Sequence, residues 1–212
     1  MNYKIEVARK LLEIEAVKLR PEDPFTWASG MRSPIYCDNR LSLSYPEVRN
    51  LIKQGLSDLA QSEAYDVIGG VATAGIPHGM LLADAEKAPY VYVRSSAKSH
   101  GRQNQIEGKM TPGARVLLVE DLISTGGSSL KAVDAIRNEG GKVDTVLAIF
   151  TYGFQKATDN ATNNNCSFKT ITDYPTLIQV ARDMNYITEA ESDTLSLWNQ
   201  DPASWYNNVL NK

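Results

Sequence analysis

Short apolar runs alternate with longer stretches of mixed character along most of the chain. The runs are short enough for buried strands, whereas the stretches between them repeat apolar residues at helical spacing. The four clearest runs are Asp66–Gly70, Pro89–Arg94, Val116–Val119 and Val143–Thr151. Strands that alternate with helices predict an α/β fold, in which helices cover both faces of a mainly parallel sheet. Ligands of such sheets bind beyond the carboxyl ends of the strands.

The apolar spacing also predicts where the helices lie. One helix is predicted over roughly the first twenty residues, and a capping-box pattern at Ser44–Glu47 predicts the start of the next. Further helices are predicted up to Glu86, over Ser129–Asn138, over Thr176–Met184 and after a cap at Thr188.

Two segments between these elements have a different character. Phe25–Ser44 alternates aromatic, small and turn residues, which predicts short strands around the Ser29–Gly30 turn. Tyr152–Asn165 is rich in Asn, Thr and Ala, and we interpret it as a loop before a short strand at Thr170–Tyr174. Three large residues near the C-terminus are predicted to close the core or an interface: Trp198, Trp205 and Leu210.

The run Val116–Val119 is followed by the most informative chemistry of the chain. Two carboxylates, Glu120 and Asp121, come directly after it, and the small residues Ser124–Ser128 precede a helix. Small residues and a helix N-terminus together make an anion cradle of backbone N–H groups. Paired carboxylates beside an anion fit a ligand that also offers hydroxyl groups or brings a cation, such as a phosphorylated sugar with a metal-bound second phosphate. A P-loop is excluded because no Gly-Lys-Ser/Thr follows the turn.

Composition and charge narrow the functional class. The chain has 212 residues and a net charge of -3, so it carries no overall electrostatic footprint for nucleic acid. It has no apolar run long enough to span a bilayer, and we expect no membrane partner. Cys37 and Cys166 lie far apart without metal-ligand spacing, which is typical of free thiols in a reducing compartment. We therefore expect a cytoplasmic protein.

The stretch VLLVEDLISTGGSS resembles the phosphoribosyl pyrophosphate (PRPP) motif of the type I phosphoribosyltransferases. The resemblance implies that family's fold in a single domain over residues 1–212. A core at about 45–169 would carry a small hood built from about 1–44 and 170–212. It also implies that Glu120 and Asp121 hold the ribose hydroxyls and that Ser124–Ser128 wrap the 5′-phosphate. The motif residues expected to bind PRPP are Glu120, Asp121, Leu122, Ile123, Ser124, Thr125, Gly126, Gly127 and Ser128.

The N-terminal segment is similar to that of the orotate phosphoribosyltransferases within this family. The resemblance rests on Phe25-Thr26, Ser29-Gly30 and Ser33-Pro34, a series that lines the base pocket in those enzymes. It implies that orotate is bound by Tyr36, through ring stacking, and by Ser124. The sequence departs from the family at Ala28, where many members have a lysine, and at Gly153-Phe154, where relatives often have an orotate-binding arginine.

Two further loops are assigned by the same resemblance. Val71–Pro77 is a candidate diphosphate cradle, although Ala74 stands where relatives often have a lysine. The polar stretch from Ser95 corresponds to a mobile loop, here residues 95–109, that closes over the site of the neighbouring subunit in a homodimer. Ser95 itself replaces a usual lysine. Arg94, Lys98 and His100 match the basic residues of the loop and are expected to bind PRPP.

The implied reaction joins orotate to the ribose 5-phosphate of PRPP, releases diphosphate and yields orotidine 5′-monophosphate. Mg²⁺ is the implied cofactor. It would be bound mainly through PRPP near Asp121, and no direct protein ligands are assigned to it. Lys98, His100 and Asp121 are the expected catalytic residues. Two alternatives stay open: a phosphoribosyltransferase that salvages a purine or uracil, and a PRPP-sensing regulator that would need a nucleic-acid-binding face.

Overall fold

The computed structural model describes residues 2–27, 30–96 and 105–210. The helices are α1 Tyr3–Glu13, α2 Pro46–Ala60, α3 Gly75–Glu86, α4 Gly127–Asn138, α5 Gln155–Asn163, α6 Tyr174–Asp183 and α7 Glu189–Gln200. The strands are β1 Val17–Leu19, β2 Phe25–Thr26, β3 Arg32–Ser33, β4 Ile35–Cys37, β5 Val67–Val71, β6 Tyr90–Val93, β7 Ile106–Glu107, β8 Val116–Ile123, β9 Thr145–Thr151 and β10 Ser167–Asp173. A 3₁₀ helix, Asn39–Ser44, precedes α2, and a π-helical turn, Tyr206–Leu210, follows α7.

A six-stranded sheet in the order β10-β9-β8-β5-β6-β7 organises the chain. All neighbours are parallel except β7, which pairs antiparallel with β6. The predicted mainly parallel α/β sheet is therefore confirmed. From β5 the chain first moves outward to β6 and then returns to the other side at β8, so the order reverses between β5 and β8. Such a switch point opens a crevice at the carboxyl ends of the strands.

Strand β8 shows how the sequence builds both faces of this sheet. Its residues Leu117 and Val119 face the core formed with α1, α2, α3 and the C-terminal helices. Val116 and Leu118 face the opposite core, which is formed with α4. Because side chains alternate between faces along a strand, a continuous apolar run is what a sheet covered on both sides requires.

The N-terminal helix is shorter than its apolar pattern predicts. Helix α1 ends at Glu13, and Leu19 lies in β1, which pairs antiparallel with β4. The change of direction takes place at Glu15, whose φ of 56° belongs to the left-handed region and does not continue a helix. The predicted helix is therefore wrong beyond Glu13, because pairing with β4 takes over the following apolar residues.

The capping box predicted at Ser44–Glu47 is also wrong. Tyr45 is the N-cap of α2 and makes no side-chain capping bond, while Pro46 occupies the first helical position. Proline suits that position since its fixed φ and missing N–H cost nothing there. The predicted capping box at Thr188 is confirmed, because the hydroxyl of Thr188 accepts from Glu191 N–H and the Glu191 carboxylate accepts from Thr188 N–H.

Helix α5 lies within Tyr152–Asn165, so the predicted loop is wrong there. Most of its residues are polar, and only Ala157 and Ala161, four residues apart, are buried. The other terminal predictions are confirmed where the chain is described: β2 and β3 pair around the turn that contains Gly30, and Trp198 and Trp205 are buried. Strand β10 extends the sheet to Asp173. None of the described helices is both long and apolar enough to cross a membrane.

Candidate active site

The acidic pair lies on the last half of the central strand rather than after it. Strand β8 continues to Ile123, so the prediction that it ends before Glu120 is wrong. Its pairing with β5 stops at Val119, whereas its pairing with β9 continues to Ile123. Glu120 and Asp121 therefore border the gap between β5 and β8, at the topological switch point.

A cavity of about 470 Å³ opens at this gap, and we name it the acid-pair cavity. It brings together the acidic pair, the loop before α4 and the loop before α3. Its lining residues are Cys37, Asp38, Arg40, Ala72, Thr73, Ala74, Glu120, Asp121, Leu122, Ser124, Thr125, Gly126, Gly127 and Ser128.

The two carboxyl groups are held in an unusual electrostatic state. Glu120 is 5% exposed, and burial followed by the neighbouring Asp121 raises the pKa of its carboxyl group to about 9. Burial also raises the pKa of Asp121. Glu120 accepts hydrogen bonds from Asp121 N–H at 3.0 Å and from Ser128 Oγ at 3.4 Å. The pair is thus prepared for a ligand that supplies hydroxyl donors or positive charge.

Two helices begin at this cavity without a capping side chain. Helix α4 starts at Gly127 and α3 at Gly75, and neither N-terminus has a side-chain cap or an acidic first turn. Uncapped N–H groups at a helix N-terminus bind anions. Helix α3 packs directly against β8, because a Cβ on Gly75 would lie 2.3 Å from the carbonyl oxygen of Val119. The cavity can therefore hold two anionic groups on either side of the acids.

The loop before α4 packs against, and is hydrogen-bonded by, residues that precede and follow it in the chain. Gly126 has a φ of +79°, and a Cβ there would lie 2.4 Å from the ring of Phe168 on β10. Asn160 on α5 donates from Nδ2 to the carbonyl oxygen of Thr125 at 2.9 Å. On the other side, the fully buried Asn39 donates to the carbonyl oxygen of Asp121 at 2.9 Å.

A second cavity of about 310 Å³ adjoins the first, and we name it the aromatic cavity. Its lining residues are Thr26, Trp27, Tyr36, Cys37, Leu122, Ser124 and Tyr152. It therefore contains both residues expected to bind the base, Tyr36 and Ser124. Three residues, Cys37, Leu122 and Ser124, line both cavities. A flat ring in the aromatic cavity would thus adjoin a sugar held by the acidic pair.

Aromatic packing fixes the wall of the second cavity. The rings of Trp27 and Tyr152 lie 5.8 Å apart, and both contact Trp198 of α7 edge-on. Phe154 stacks on Tyr152 with the ring centres 5.3 Å apart. This wall offers an apolar surface of the kind that ring ligands prefer.

Some predicted site residues are located elsewhere. Arg94 lines a neighbouring cavity of about 220 Å³ that shares Ala72 and Ser128 with the acid-pair cavity. The side chain of Ile123 is 1% exposed and packs beneath the loop with Ala157. Lys98, His100 and Ala28 fall outside the described residues.

Arg40, which no sequence pattern predicted, lines the acid-pair cavity from the 3₁₀ helix after β4. Its guanidinium donates from Nε to Asp38 Oδ1 at 2.6 Å and from Nη2 to Oδ2 at 3.0 Å, while 62% of its side chain stays exposed. Among the described lining residues of that cavity, Arg40 carries the only positive charge. Nothing in the local pattern marks it, because the fold alone brings it to the acids.

Two further titratable groups are uncharged at neutral pH. His78 on α3 is 1% exposed, and burial lowers its pKa to about 4, so the ring is neutral. Burial also raises the pKa of the Cys37 thiol, which makes it a poor nucleophile. In the described part of the chain, no three His, Cys, Asp or Glu side chains form a metal-binding cluster.

Comparison with known proteins agrees with this geometry. Residues 40–173 match the phosphoribosyl transferase domain. The chain is 54% identical over 207 residues to the orotate phosphoribosyltransferase of Cytophaga hutchinsonii, which covers 97% of this chain and 99% of that one. It is 53% identical over 203 residues to the orotate phosphoribosyltransferase of Bacillus pumilus, covering 95% and 96% of the two chains.

The fold resembles solved structures of the same group. The crystal structure of orotate phosphoribosyltransferase from Aeropyrum pernix superposes with a TM-score of 0.74 at 27% identity, covering 86% of this chain and 99% of that one. The chain therefore belongs to the phosphoribosyl transferase family and, within it, to the orotate phosphoribosyltransferases.

Proposed function

We propose that this pentosyltransferase transfers the ribose 5-phosphate group of PRPP to orotate, in the pyrimidine pathway that leads to uridine 5′-monophosphate. The products are orotidine 5′-monophosphate and diphosphate. The observation that carries the proposal is the junction of two cavities: one has an acidic pair between two uncapped helix N-termini, and the other has aromatic walls. A sugar with two phosphate groups fits the first cavity, and a planar base fits the second.

In this assignment the 5′-phosphate binds the loop Ser124–Ser128 and the N-terminus of α4. The ribose hydroxyls donate to Glu120 and Asp121. The diphosphate binds the loop Ala72–Ala74 and the N-terminus of α3, and the Arg40 guanidinium, which is held by Asp38 and stays largely exposed, is a further donor. Arg94, at the adjoining cavity, and Lys98 and His100, both outside the described residues, complete the PRPP site in the proposal.

The base lies against Tyr36 in the aromatic cavity, with Ser124 between base and sugar. Ser124 suits this position because its residue lines both cavities and its hydroxyl both donates and accepts. The hairpins near the N-terminus and the C-terminal helices form the proposed hood. The contact of Trp27 with Trp198 supports that arrangement, because it joins the two chain ends beside the cavity.

The proposed reaction is a displacement at the anomeric carbon with an oxocarbenium-like transition state. Positive charge develops on the ribose ring and lowers the pKa of the neighbouring Glu120, so that the carboxylates of Glu120 and Asp121 stabilise it. Negative charge grows on the departing diphosphate, where Lys98, His100 and the α3 N-terminus stabilise it. Oxygen-rich groups at Asp121 and the ribose fit Mg²⁺, which would neutralise diphosphate charge when bound. No covalent nucleophile is needed.

We also propose a cytoplasmic homodimer in which residues 95–109 of one subunit close over the site of the other. Closure would exclude water that otherwise hydrolyses the activated sugar. The strand Ile106–Glu107, paired with β6, would anchor one end of this loop. Two free thiols, Cys37 and Cys166, are consistent with a reducing compartment.

The direct test is the loss of orotate absorbance after PRPP and Mg²⁺ are added to the purified protein. We expect turnover with orotate and none with uracil, hypoxanthine or adenine under the same conditions. Turnover of one of the other bases in place of orotate would favour the salvage alternative. Nucleic-acid binding that responds to PRPP, without turnover of any base, would favour the regulator.

Subunit sharing has its own test. Lys98→Ala and Asp121→Asn should each be inactive alone, whereas a mixture should regain activity through hybrid dimers that contain one complete site. Each variant mixed with itself is the matched control. If subunit exchange is verified and activity does not return, the loop acts within its own subunit.

A further inference from the structure

The aromatic cavity has no counter-charge of its own for an anionic base. Its described lining residues carry hydroxyl, thiol and aromatic groups but no charged side chain. Orotate, the base of the proposed function, carries a carboxylate at neutral pH. A carboxylate removed from water is costly unless a hydrogen-bonded positive group meets it. The rim of this cavity is therefore where such a group is needed.

Arg32 lies at that rim because of the β2–β3 hairpin. Thr26 and Arg32 are directly opposite in the antiparallel register, so their side chains project from the same face of the hairpin. Thr26 lines the aromatic cavity, and Arg32 donates from Nη1 to Thr26 Oγ1 at 3.1 Å. The guanidinium is thus one hydroxyl away from the cavity. Because the Thr26 hydroxyl accepts from Arg32, its own proton is free to be donated to a ligand.

Arg32 is held in place without being neutralised. Its guanidinium carbon lies 4.9 Å from the centre of the Tyr206 ring, which orients it through a cation–π contact. Within the described ranges it has no ion pair with a carboxylate, and its only side-chain hydrogen bond is the one to Thr26. Its Nε is buried without a hydrogen-bond partner. By contrast, Arg40 is paired bidentately with Asp38.

We propose that Arg32, acting with the Thr26 hydroxyl, is the specificity-determining residue that binds the carboxylate of the base. This inference rests on the proposed function, since it assumes that an orotate ring occupies the aromatic cavity. It gives the β2–β3 hairpin a chemical role in binding the base. The π-helical turn at the C-terminus supports the site through Tyr206.

The test compares two nucleotides that differ only in the carboxylate, orotidine 5′-monophosphate and uridine 5′-monophosphate. Their affinities are measured by calorimetry for the wild type and for Arg32→Gln, Arg32→Lys and Thr26→Val. We expect Arg32→Gln to weaken orotidine 5′-monophosphate about tenfold to a hundredfold, the worth of a charge-assisted hydrogen bond. Affinity for uridine 5′-monophosphate should not change. Arg32→Lys should restore part of the preference, and Thr26→Val should reduce it.

Arg20→Gln is the matched control. Arg20 is also an arginine of the N-terminal segment and lies 5.0 Å from the centre of the Phe25 ring, whereas the described hydrogen bond to the Thr26 hydroxyl comes from Arg32. It should keep the wild-type preference, which separates a local contact from a general effect of charge. Steady-state kinetics should give the same pattern, with a raised KM for orotate and an unchanged KM for PRPP in Arg32→Gln.

The outcomes separate this inference from the proposed function. An unchanged preference in Arg32→Gln, or an equal loss of both nucleotides, overturns the role of Arg32. If Arg32→Gln does not fold, the lysine and valine variants decide in the same way. Failure of the wild type to consume orotate with PRPP overturns the proposed function instead.

Discussion

Gly126 is the residue of the candidate phosphate loop whose substitution the structure predicts most sharply. Its φ of +79° lies in the left-handed region, and an added Cβ would lie 2.4 and 2.6 Å from two ring atoms of Phe168. Gly126→Ala therefore combines backbone strain with overpacking. Gly127, the next residue, has a Cβ position whose nearest neighbour is Thr125 Oγ1 at 3.9 Å and has no left-handed φ.

The two costs can be estimated separately. An alanine in the left-handed region costs about 1–2 kcal/mol, and overpacking costs about 1–3 kcal/mol. We expect Gly126→Ala to lower the free energy of unfolding by roughly 2–5 kcal/mol, the sum of the two costs and a large share of a typical total stability. Gly127→Ala, at the first position of α4, should change it by no more than about 1 kcal/mol.

Urea unfolding of both variants measures the difference, and Phe168→Ala separates the two contributions. In the Phe168→Ala background the ring is absent, so Gly126→Ala should retain only its backbone strain. Affinity for ribose 5-phosphate should fall in Gly126→Ala because the loop must shift. Equal stability of the Gly126 and Gly127 variants, or an unchanged cost without the Phe168 ring, would refute this reasoning.

Three further predictions concern the groups around the same cavity. The pKa of Glu120 is raised above its ordinary value of 4.5, so above pH 4.5 the folded state holds a proton that the unfolded state loses, and the stability of the wild type should fall as the pH rises. In urea unfolding, Glu120→Gln should be more stable than the wild type by about 0.5–2 kcal/mol at pH 8 but not at pH 4. The variant should also lose activity. Arg40→Gln should raise the KM for PRPP about tenfold and leave that for orotate unchanged, with the exposed Arg182→Gln as control. Asn160→Ala leaves the Thr125 carbonyl without its donor and should weaken ribose 5-phosphate binding in calorimetry, whereas the surface variant Gln155→Ala should not. Identical urea curves for Glu120→Gln and wild type at pH 8, an unchanged KM for PRPP in Arg40→Gln, or full affinity in Asn160→Ala would contradict the respective arguments.

The sheet could be predicted because its strands are continuous apolar runs that only a doubly covered sheet accommodates. Val116–Val119 is the clearest case, and the acids and small residues that follow it mark the binding edge. The local sequence pattern did not predict where β8 ends. Pairing with β9 extends β8 to Ile123, and that pairing is a tertiary contact.

Helix α5 was missed for a physical reason. It needs only two small buried residues, Ala157 and Ala161, to pack on the sheet, so its apolar signal is too weak to stand out in a polar sequence. Yet it supplies Asn160, which donates a hydrogen bond to the loop before α4. A residue such as Asn160 acts through a hydrogen bond to the backbone of another segment, and the local sequence pattern does not predict such a contact.

Only some of the N-terminal residues at the candidate site were predicted. Tyr36 was predicted by resemblance to bind the base, and it lines the aromatic cavity together with Ser124. That role stays a prediction. Asn39 donates a hydrogen bond to Asp121, and Arg40 interacts with Asp121 electrostatically. Neither residue was predicted, because Asp121 lies more than eighty residues later in the chain. Burial and long-range packing, which local patterns do not encode, determine these contacts. The roles of Lys98 and His100 stay predictions from resemblance.

The position of the sugar phosphate tests the account most directly. A crystal structure of the protein with ribose 5-phosphate should show the phosphate on the backbone N–H groups of Ser124–Ser128 and the ribose hydroxyls against Glu120 and Asp121. A sugar phosphate bound at another surface, with the loop before α4 free of ligand, would contradict it.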